Sequence, residues 1–254
     1  MPDRAGLTSE PWNGPALSRR LGVPVVSHGV VGSTMEEARR GGPGPVIHLA
    51  EEQRAGRGRH GRSWSSPPGN LYATIAWPDP DARIPATILA AIQAEIGHAV
   101  RGAGGPAVRC KWPNDGFVGG EKWCGLLAEH DRGRLLVGIG ANLEHSPTDP
   151  GLRATCLRER WVPWPGRVVV AETLVRAALF VLRSGAAGIR RGLARWADLD
   201  VWPRGTQVRV ETGDGVRVGR YGGLAPDGRL VLDTPRGVVR LAAGEAYRVR
   251  GQAL

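Results

Sequence analysis

The sequence predicts an α+β fold in which a large part with both strands and helices precedes a small all-β barrel. Apolar runs of strand length alternate with amphipathic helical segments as far as Trp202. Beyond Pro203 the chain changes to five short β runs separated by Gly/Asp turns, which is typical of a small barrel. We therefore expect a main domain at 21–202 and a C-terminal barrel at 203–254, preceded by a flexible lead-in at 1–20.

The first half of the main domain is predicted to contain three strands and one short helix. The strands are apolar runs rich in β-branched residues, at 23–31, 45–52 and 70–77. The last of them is almost continuously apolar, as in the interior of a sheet. Ser33 and Thr34 are each followed three residues later by Glu, a capping-box pattern that predicts a helix over 33–40.

The second half of the main domain is predicted to contain two longer helices. The segment 85–102 begins with Pro and ends with Gly, and its apolar residues Ile88, Ile92 and Ile96 fall on one face. A second helical stretch covers 167–197. Four short β runs are predicted between these helices, at 107–112, 116–120, 122–131 and 134–144.

Composition limits the classes of protein to which the chain can belong. The formal net charge is +10, but the basic residues are spread along the whole chain and all except two are Arg, which favours a compositional bias over nucleic-acid binding. No apolar run reaches the length of about 18 residues that a membrane-spanning helix needs, and the first residues lack the apolar core of a signal peptide. Cys110, Cys124 and Cys156 form no CxxC pair, which favours free thiols in the cytoplasm over a metal site.

An arginine- and glycine-rich loop lies between the second and third strands. Its core, GRGRHGR at 56–62, places Arg57, Arg59 and Arg62 among glycines. Glycine lets backbone N–H groups converge on an anion, and Arg adds a bidentate grip on phosphate or carboxylate. We interpret the segment as a phosphate- or adenylate-binding loop, in preference to a disordered segment that binds RNA by charge. Trp64, which follows, is either a hydrophobic anchor of the loop or a cover for a bound flat ring.

The chain has only two lysines, Lys111 and Lys122, and both lie in one stretch, CKWPNDGFVGGEKWCG at 110–125. The Trp-Pro and Asn-Asp steps predict a turn, so that one lysine ends a strand and the other leads the next long strand. Lysine is a compact point charge, whereas arginine is a rigid fork. A site that must contact a single oxygen of a carboxylate or phosphate would retain lysine; the alternative is chance.

A third motif, GIGAN at 138–142, follows in the next β run. Gly138 and Gly140 would let another group approach the backbone, and Asn142 offers a hydrogen-bond donor and an acceptor together. The alternative interpretation is an ordinary turn at the end of a strand.

In this order and spacing, the motifs resemble those of the biotin–protein ligases, over roughly residues 22–250. The matching segments are GST at 32–34, EEQRAGRGRHGRSW at 51–64, KWPND at 111–115, EKWCGLLAE at 121–129 and GIGAN at 138–142. The resemblance implies a mixed β-sheet flanked by helices, akin to class II aminoacyl-tRNA synthetases, followed by an SH3-like barrel. Longer members of the family carry an N-terminal DNA-binding helix-turn-helix, and the chain resembles the monofunctional type without it.

The resemblance also implies an activity. ATP would activate biotin as biotinyl-5′-AMP, with Mg²⁺ on the ATP phosphates, and the biotinyl group would pass to a lysine of a biotin carboxyl carrier domain. Biotin and that carrier domain are therefore the expected partners, without DNA or a membrane. The expected state is a monomer or a weak homodimer in the cytoplasm.

Roles for individual residues follow from their positions in the matching motifs. Those expected at biotin, its carboxylate or the joining phosphate are Ser33, Thr34, Gln53, Arg57 and Lys122. Those expected at ATP or the adenylate are Gly56, Arg59, Arg62, Trp64, Asn114 and Asn142. The expected catalytic residues are Arg57, Lys111, Lys122 and Asp115, and no residue is expected to bind a metal directly. Asp115 would orient or deprotonate the incoming lysine.

Two positions depart from the family pattern. Met35 stands where the family usually has Asn, and Trp123 and Cys124 stand where it has a small or aliphatic residue before Ala-Gly. One alternative is therefore a related adenylate-forming ligase that acts on a different carboxylic acid. A non-catalytic nucleic-acid-binding protein is a second alternative, but the loop and the two lysines argue against it.

Overall fold

The computed structural model describes residues 10–79, 85–148 and 153–249. In chain order, the helices and strands of these residues are α1 (Gly14–Leu21), β1 (Val25–Val31), α2 (Thr34–Arg40), β2 (Val46–Gln53), β3 (Leu71–Pro78), α3 (Pro85–Gly102), β4 (Val108–Lys111), β5 (Asp115–Val118), β6 (Glu121–Asp131), β7 (Arg134–Ala141), α4 (Arg167–Arg195), β8 (Gln207–Thr212), β9 (Gly215–Leu224), β10 (Leu230–Thr234), β11 (Gly237–Leu241) and β12 (Glu245–Arg248). The predicted strands and the three predicted helices are confirmed, most with ends that differ by one to three residues.

The chain divides into two compact units. The first comprises Met1–Ala82 and Trp123–Glu172, and the second comprises Arg83–Lys122 and Thr173–Leu254. This division differs from the expected boundary between residues 202 and 203, because the second unit joins α3, β4 and β5 to the C-terminal strands. The expected main domain and C-terminal domain therefore stay a prediction.

The first unit is built on a mixed sheet with the strand order β1-β2-β3-β7-β6. The β1 and β2 strands are parallel, whereas β2–β3, β3–β7 and β6–β7 are antiparallel. Residues Leu71–Ala76 of β3 are buried without interruption, as its apolar sequence predicts. The expected mixed β-sheet is therefore confirmed.

The start of the chain differs from the expected flexible lead-in. Residues 10–20 include most of α1, which Asn13 caps by accepting a hydrogen bond from the Ala16 backbone N–H. Trp12 is buried and donates its indole N–H to the Ala50 carbonyl at 3.2 Å. The guanidinium of Arg167 lies 4.1 Å from the Trp12 ring. Burial of an aromatic side chain therefore holds a segment that polar composition alone would leave loose; residues 1–9 lie outside the described residues.

The second unit contains an antiparallel five-stranded sheet with the order β11-β10-β9-β8-β12. In the part of the chain that the structure describes, its edge strands β11 and β12 do not pair, so the expected barrel is seen as an open sheet. The sheet shares one hydrophobic core with α3 and β4, which contains Ala90, Ala94, Cys110, Trp112, Trp196, Leu199, Val208, Val210, Tyr221, Leu230, Leu232, Leu241 and Ala246. A half-buried carboxylate, that of Asp200, accepts hydrogen bonds from the Tyr221 hydroxyl at 2.5 Å and the Trp196 indole at 3.0 Å.

The α4 helix is interrupted at Gly185, whose φ of 54° and ψ of −129° are not helical. A single 3₁₀ turn, Trp196–Asp198, follows the helix. The predicted helix over 167–197 is therefore present but not continuous. Among residues 10–79, 85–148 and 153–249, no helix is both long and apolar enough to cross a membrane.

Candidate active site

Three glycines line one face of the sheet in the first unit. Gly125 of β6 pairs with Gly140 of β7, and Leu127 pairs with Gly138 two residues farther along, so that the three glycines share one face. A Cβ at Gly138 would lie 3.1 Å from Met35 Cε, and a Cβ at Gly140 would lie 2.6 Å from Trp64 Cε2. The glycines therefore let α2 and Trp64 lie directly against the backbone. We call Gly125, Gly138 and Gly140 the glycine floor.

A buried polar network connects the start of α2 to β2 and β3 beside the glycine floor. The Thr34 backbone N–H and its hydroxyl donate to Gln53 Oε1 at 2.8 and 3.1 Å, and the Thr34 and Thr74 hydroxyls lie 2.8 Å apart. Gln53 Nε2 donates to Ser66 Oγ at 3.0 Å. Ser33 caps α2 by accepting from the Met35 N–H at 3.2 Å. The structure thus brings Ser33, Thr34 and Gln53 together, and their contact with biotin stays a prediction.

The arginine-glycine loop is a small hydrogen-bonded hairpin. The Trp64 N–H donates to the Gly56 carbonyl at 2.9 Å, and the Gly58 N–H donates to the Arg62 carbonyl at 2.8 Å. His60 and Gly61 form its tip with positive φ values of 57° and 72°. A Cβ at Gly56 would lie 2.6 Å from both Ser66 Oγ and the Trp64 carbonyl oxygen, so only glycine fits at its base.

Charged side chains surround this hairpin. Arg57 is exposed and donates to Glu36 Oε1 at 2.7 Å, and the same carboxylate oxygen accepts from Arg39 at 2.7 Å. Arg62 is exposed and Arg59 is half-buried. An anion that binds Arg57 would therefore compete with Glu36 for its guanidinium.

Trp123 and Asn142 lie at the end of the glycine floor, where the Asn142 N–H donates to the Trp123 carbonyl at 2.7 Å. Asn142 Nδ2 donates to the Thr155 carbonyl at 3.2 Å. Trp123 is completely buried. Among the described residues, no partner forms a hydrogen bond with Trp123 Nε1 or Asn142 Oδ1.

The departure at Met35 has a structural explanation. Its side chain is buried in an apolar cluster with Ala38, Ala76 and Leu136. The side chain therefore fills the sheet side of α2, where a longer apolar chain gains more from burial than an amide would.

The remaining predicted site residues lie together in the second unit. Lys111 pairs with Asp115 across the β4–β5 hairpin, whose turn holds the buried Asn114. Lys122 Nζ lies 2.8 Å from Asp115 Oδ1. Lys111 Nζ lies 4.8 Å from the ring centre of Tyr247, a cation–π contact with the C-terminal sheet.

Sequence reasoning missed several residues that hold the site. Thr74 and Ser66 complete the polar network of Thr34 and Gln53, and Glu36 holds Arg57. Thr74 had a signal in the sequence, since it is a hydroxyl in an otherwise apolar strand. No pattern in the sequence indicated the roles of Ser66 and Glu36, because these roles depend on how the arginine-glycine loop folds back.

A histidine pair lies farther along the same sheet. His48 Nδ1 lies 3.1 Å from His28 Nε2, and the two rings stack. Burial, together with His28, lowers the pKa of His48 to about 4. His48 is therefore neutral at neutral pH and acts in packing.

Comparisons with known proteins identify the family. The model described as "Biotin/lipoate A/B protein ligase family" matches residues 36–144, and "Biotin protein ligase C terminal domain" matches 205–249. The biotin–[acetyl-CoA-carboxylase] ligase of Paracoccus denitrificans is 31% identical over 85% of this chain and 96% of that protein. The chain belongs to the biotin protein ligase family. The ligase of Mycobacterium tuberculosis with the same name is 30% identical over 81% of this chain and 79% of its own length.

Comparison with other family members shows a shared fold and a difference in chain length. The biotin protein ligase from Aquifex aeolicus in complex with biotin and ATP has a TM-score of 0.74 at 23% identity, over 89% of this chain and 99% of that one, which shows the shared fold. The bifunctional ligase/repressor BirA of Escherichia coli is 29% identical over 73% of this chain. The match spans only 60% of the length of that bifunctional relative.

Proposed function

We propose that this chain is an ATP-dependent ligase that activates biotin as biotinyl-5′-AMP and transfers it to a lysine of a biotin carboxyl carrier domain. The observation that carries the proposal is the partly buried Thr34–Gln53–Ser66 network, which links the start of α2 to the arginine-glycine hairpin. The network sets hydroxyl and amide groups beside strands whose glycines let Met35 and Trp64 lie against the backbone, and next to a hairpin that carries guanidinium groups. Relatives named for biotin ligation, at 30% and 31% identity, support the same conclusion.

The first step joins two anions. A carboxylate oxygen of biotin attacks the α-phosphorus of MgATP, and pyrophosphate leaves with the electron pair of the broken P–O bond. Ser33, Thr34 and Gln53 would bind and orient biotin. Arg57 and Lys122 would neutralise its carboxylate and the α-phosphate, whose charge grows in the transition state.

The nucleotide would be held by a second group of residues. Arg59, Arg62 and the backbone at Gly56 would bind the phosphates, and Trp64 would stack near the adenine. Asn142 would contact the adenylate, and Lys111 and Asn114 would act on ATP.

The second step moves the biotinyl group to the carrier. The amine of the acceptor lysine attacks the acyl carbon of biotinyl-5′-AMP, an amide bond forms, and AMP leaves. The amine must first lose a proton, and Asp115 would orient it or accept that proton. Asp115 already forms an ion pair with one ammonium group, that of Lys122, whose Nζ lies 2.8 Å from Oδ1.

We place this reaction in the cytoplasm. All three cysteines, Cys110, Cys124 and Cys156, are buried free thiols, which fits a reducing compartment. A monomer or a weak homodimer, with no DNA or membrane partner, remains our proposal for the assembly.

The test is modification of an apo carrier domain in the presence of biotin and MgATP. We expect a mass gain of one biotinyl group, which intact mass spectrometry measures. Lipoate and octanoate serve as competing acids, because the departures at Met35 and Trp123 raise the alternative of another carboxylic acid. Efficient transfer of either acid without biotin transfer would replace the proposed substrate, and no transfer of any acid would contradict the proposed function.

A further inference from the structure

Thr74 places a hydroxyl group in the buried part of β3. It pairs with Gly138 of β7, so its side chain lies on the same face of the sheet as the glycine floor. Thr74 is 1% exposed, and its hydroxyl oxygen lies 2.8 Å from that of Thr34, at the start of α2. Burying a hydroxyl costs free energy unless a partner satisfies it, so Thr34 is the partner that lets β3 carry this residue.

The other contacts of Thr34 fix the direction of the hydrogen bond between the two hydroxyls. Gln53 Oε1 can only accept, and it receives the Thr34 backbone N–H at 2.8 Å and the Thr34 hydroxyl at 3.1 Å. A hydroxyl has a single proton, and that of Thr34 is used on Gln53. In the contact between the two threonines, Thr74 is therefore the donor and Thr34 the acceptor.

The far end of the network fixes the Gln53 amide in the same sense. Ser66 Oγ donates to the Trp64 carbonyl at 2.9 Å, and a carbonyl can only accept. Ser66 Oγ therefore accepts from Gln53 Nε2 at 3.0 Å, which leaves Oε1 on the side of Thr34. All the hydrogen bonds from Thr74 to Trp64 thus run in one direction, and a backbone N–H and a backbone carbonyl hold that direction.

This direction decides what Thr34 can offer to a bound substrate. Its hydroxyl proton is held by Gln53, and one lone pair of its oxygen accepts the proton of Thr74. Among the residues that the structure describes, nothing else bonds to this hydroxyl, so the second lone pair is left as an acceptor. An acceptor suits an N–H group of the substrate, such as those in the ureido ring of biotin.

We propose that Thr74 is a positioning residue for biotin, whose proton holds the Thr34 hydroxyl in the orientation that accepts from the substrate. Without that proton, the Thr34 hydroxyl is free to turn toward β3, and it then gives up its bond to Gln53 or presents its own proton to the substrate. Thr74 acts through Thr34 and is not itself assigned a contact with biotin. The inference rests on the proposed function, in which Thr34 binds biotin.

Calorimetric binding of biotin to the full chain tests this role without depending on turnover. Thr74→Val keeps a similar shape and removes the hydroxyl, and we expect the Kd for biotin to rise about tenfold, because Thr34 loses the donor that orients it. Thr74→Ser supplies a donor at the same place and should restore the affinity. The Kd for ATP, measured without biotin, should not change in either variant.

Two further variants separate the hydroxyl from packing. Ile75→Val shortens the next side chain of β3, which is completely buried on the other face of the sheet. It should lower the melting temperature and leave the Kd for biotin unchanged. Thr74→Cys replaces the hydroxyl by a weaker donor that cores accept readily, so it should raise this Kd about threefold and serves if Thr74→Val does not fold.

A double-mutant cycle shows whether Thr74 acts through Thr34. In a Thr34→Val background the hydroxyl that Thr74 orients is absent, so adding Thr74→Val should weaken biotin binding no further. A wild-type Kd for biotin in Thr74→Val or Thr74→Cys, or the full additional loss in the double variant, would overturn the inference. The expected binding pattern without transfer of biotin to a carrier domain would instead refute the proposed function alone, whereas a wild-type chain that binds no biotin would overturn both.

Discussion

At the residue scale, Lys122 is one of two lysines in a chain whose other basic side chains are arginine. Its ammonium lies 2.8 Å from Asp115 Oδ1, and its side chain is 25% exposed, so the charge sits in a confined position. A compact ammonium can contact single oxygens of a carboxylate and a phosphate there, whereas a planar guanidinium needs more width. On an open surface, this difference in shape between lysine and arginine would not matter for the contact.

Lys122→Arg should therefore slow biotin-dependent pyrophosphate release at saturating substrates at least about tenfold, or roughly 1.4 kcal/mol of transition-state stabilisation. The melting temperature should stay close to that of the wild type, because arginine can still pair with Asp115.

The control for this variant is Arg40→Lys, which exchanges the cation in an exposed ion pair with Glu37 and should leave the rate unchanged. A Lys122→Arg enzyme with wild-type turnover would leave chance as the explanation of the two lysines.

At the scale of elements, Gly140 of the glycine floor places the motif at 138–142 in contact with Trp64, in the loop that precedes β3. A Cβ at Gly140 would lie 2.6 Å from Trp64 Cε2, closer than carbon atoms can approach. The Trp64 ring and the hairpin that carries it would have to move. Because Trp64 is only half-buried, this movement is possible without unfolding the sheet.

Gly140→Ala should raise the Kd for ATP at least about fivefold and lower the free energy of unfolding by about 1–3 kcal/mol, the usual cost of overpacking. Calorimetry and urea unfolding measure the two effects.

Gly29→Ala is the matched control in the same sheet, since a Cβ at Gly29 meets nothing within 4 Å. Nucleotide binding by Gly140→Ala that equals that of Gly29→Ala would show that the position of Trp64 has no part in the site.

The elements also show what sequence patterns can and cannot predict. The α3 helix was predictable because its terminal Pro and Gly and its apolar face agree. The α1 helix was missed because it is short and polar, and its start is held by the Asn13 cap and by the contacts of Trp12. The break at Gly185 was missed because one glycine in a helical pattern does not reveal a positive φ.

The candidate site was predictable to a similar degree. The motifs assigned Thr34 and Gln53 to one binding site, and the structure brings these two residues together, because Thr34 begins α2 and Gln53 ends β2. The burial of Trp123 and the contact of Lys111 with Tyr247 depend on residues far along the chain, so no local pattern encodes them.

At the scale of the whole molecule, the expected division at residues 202 and 203 separates strands that share a core with earlier elements. Trp112 donates its indole N–H to the Gly228 carbonyl at 3.1 Å, and the Thr87 hydroxyl donates to the Asp227 carbonyl at 2.7 Å. The pattern of apolar and turn residues shows where strands begin, but it does not show which other elements complete their hydrophobic core. The C-terminal sheet should therefore unfold together with α3 and β4.

Leu232→Ala tests this coupling. Leu232 is completely buried in the shared core, so its truncation should cost about 2–5 kcal/mol. Hydrogen exchange should then accelerate in the amides of α3 and β4 as well as in β8–β12, because one cooperative unit opens as a whole. Val238→Ala, at a side chain of the same sheet that is 65% exposed, should leave both regions unchanged. Faster exchange confined to residues beyond 203 would restore the predicted boundary and make the C-terminal sheet an independent domain.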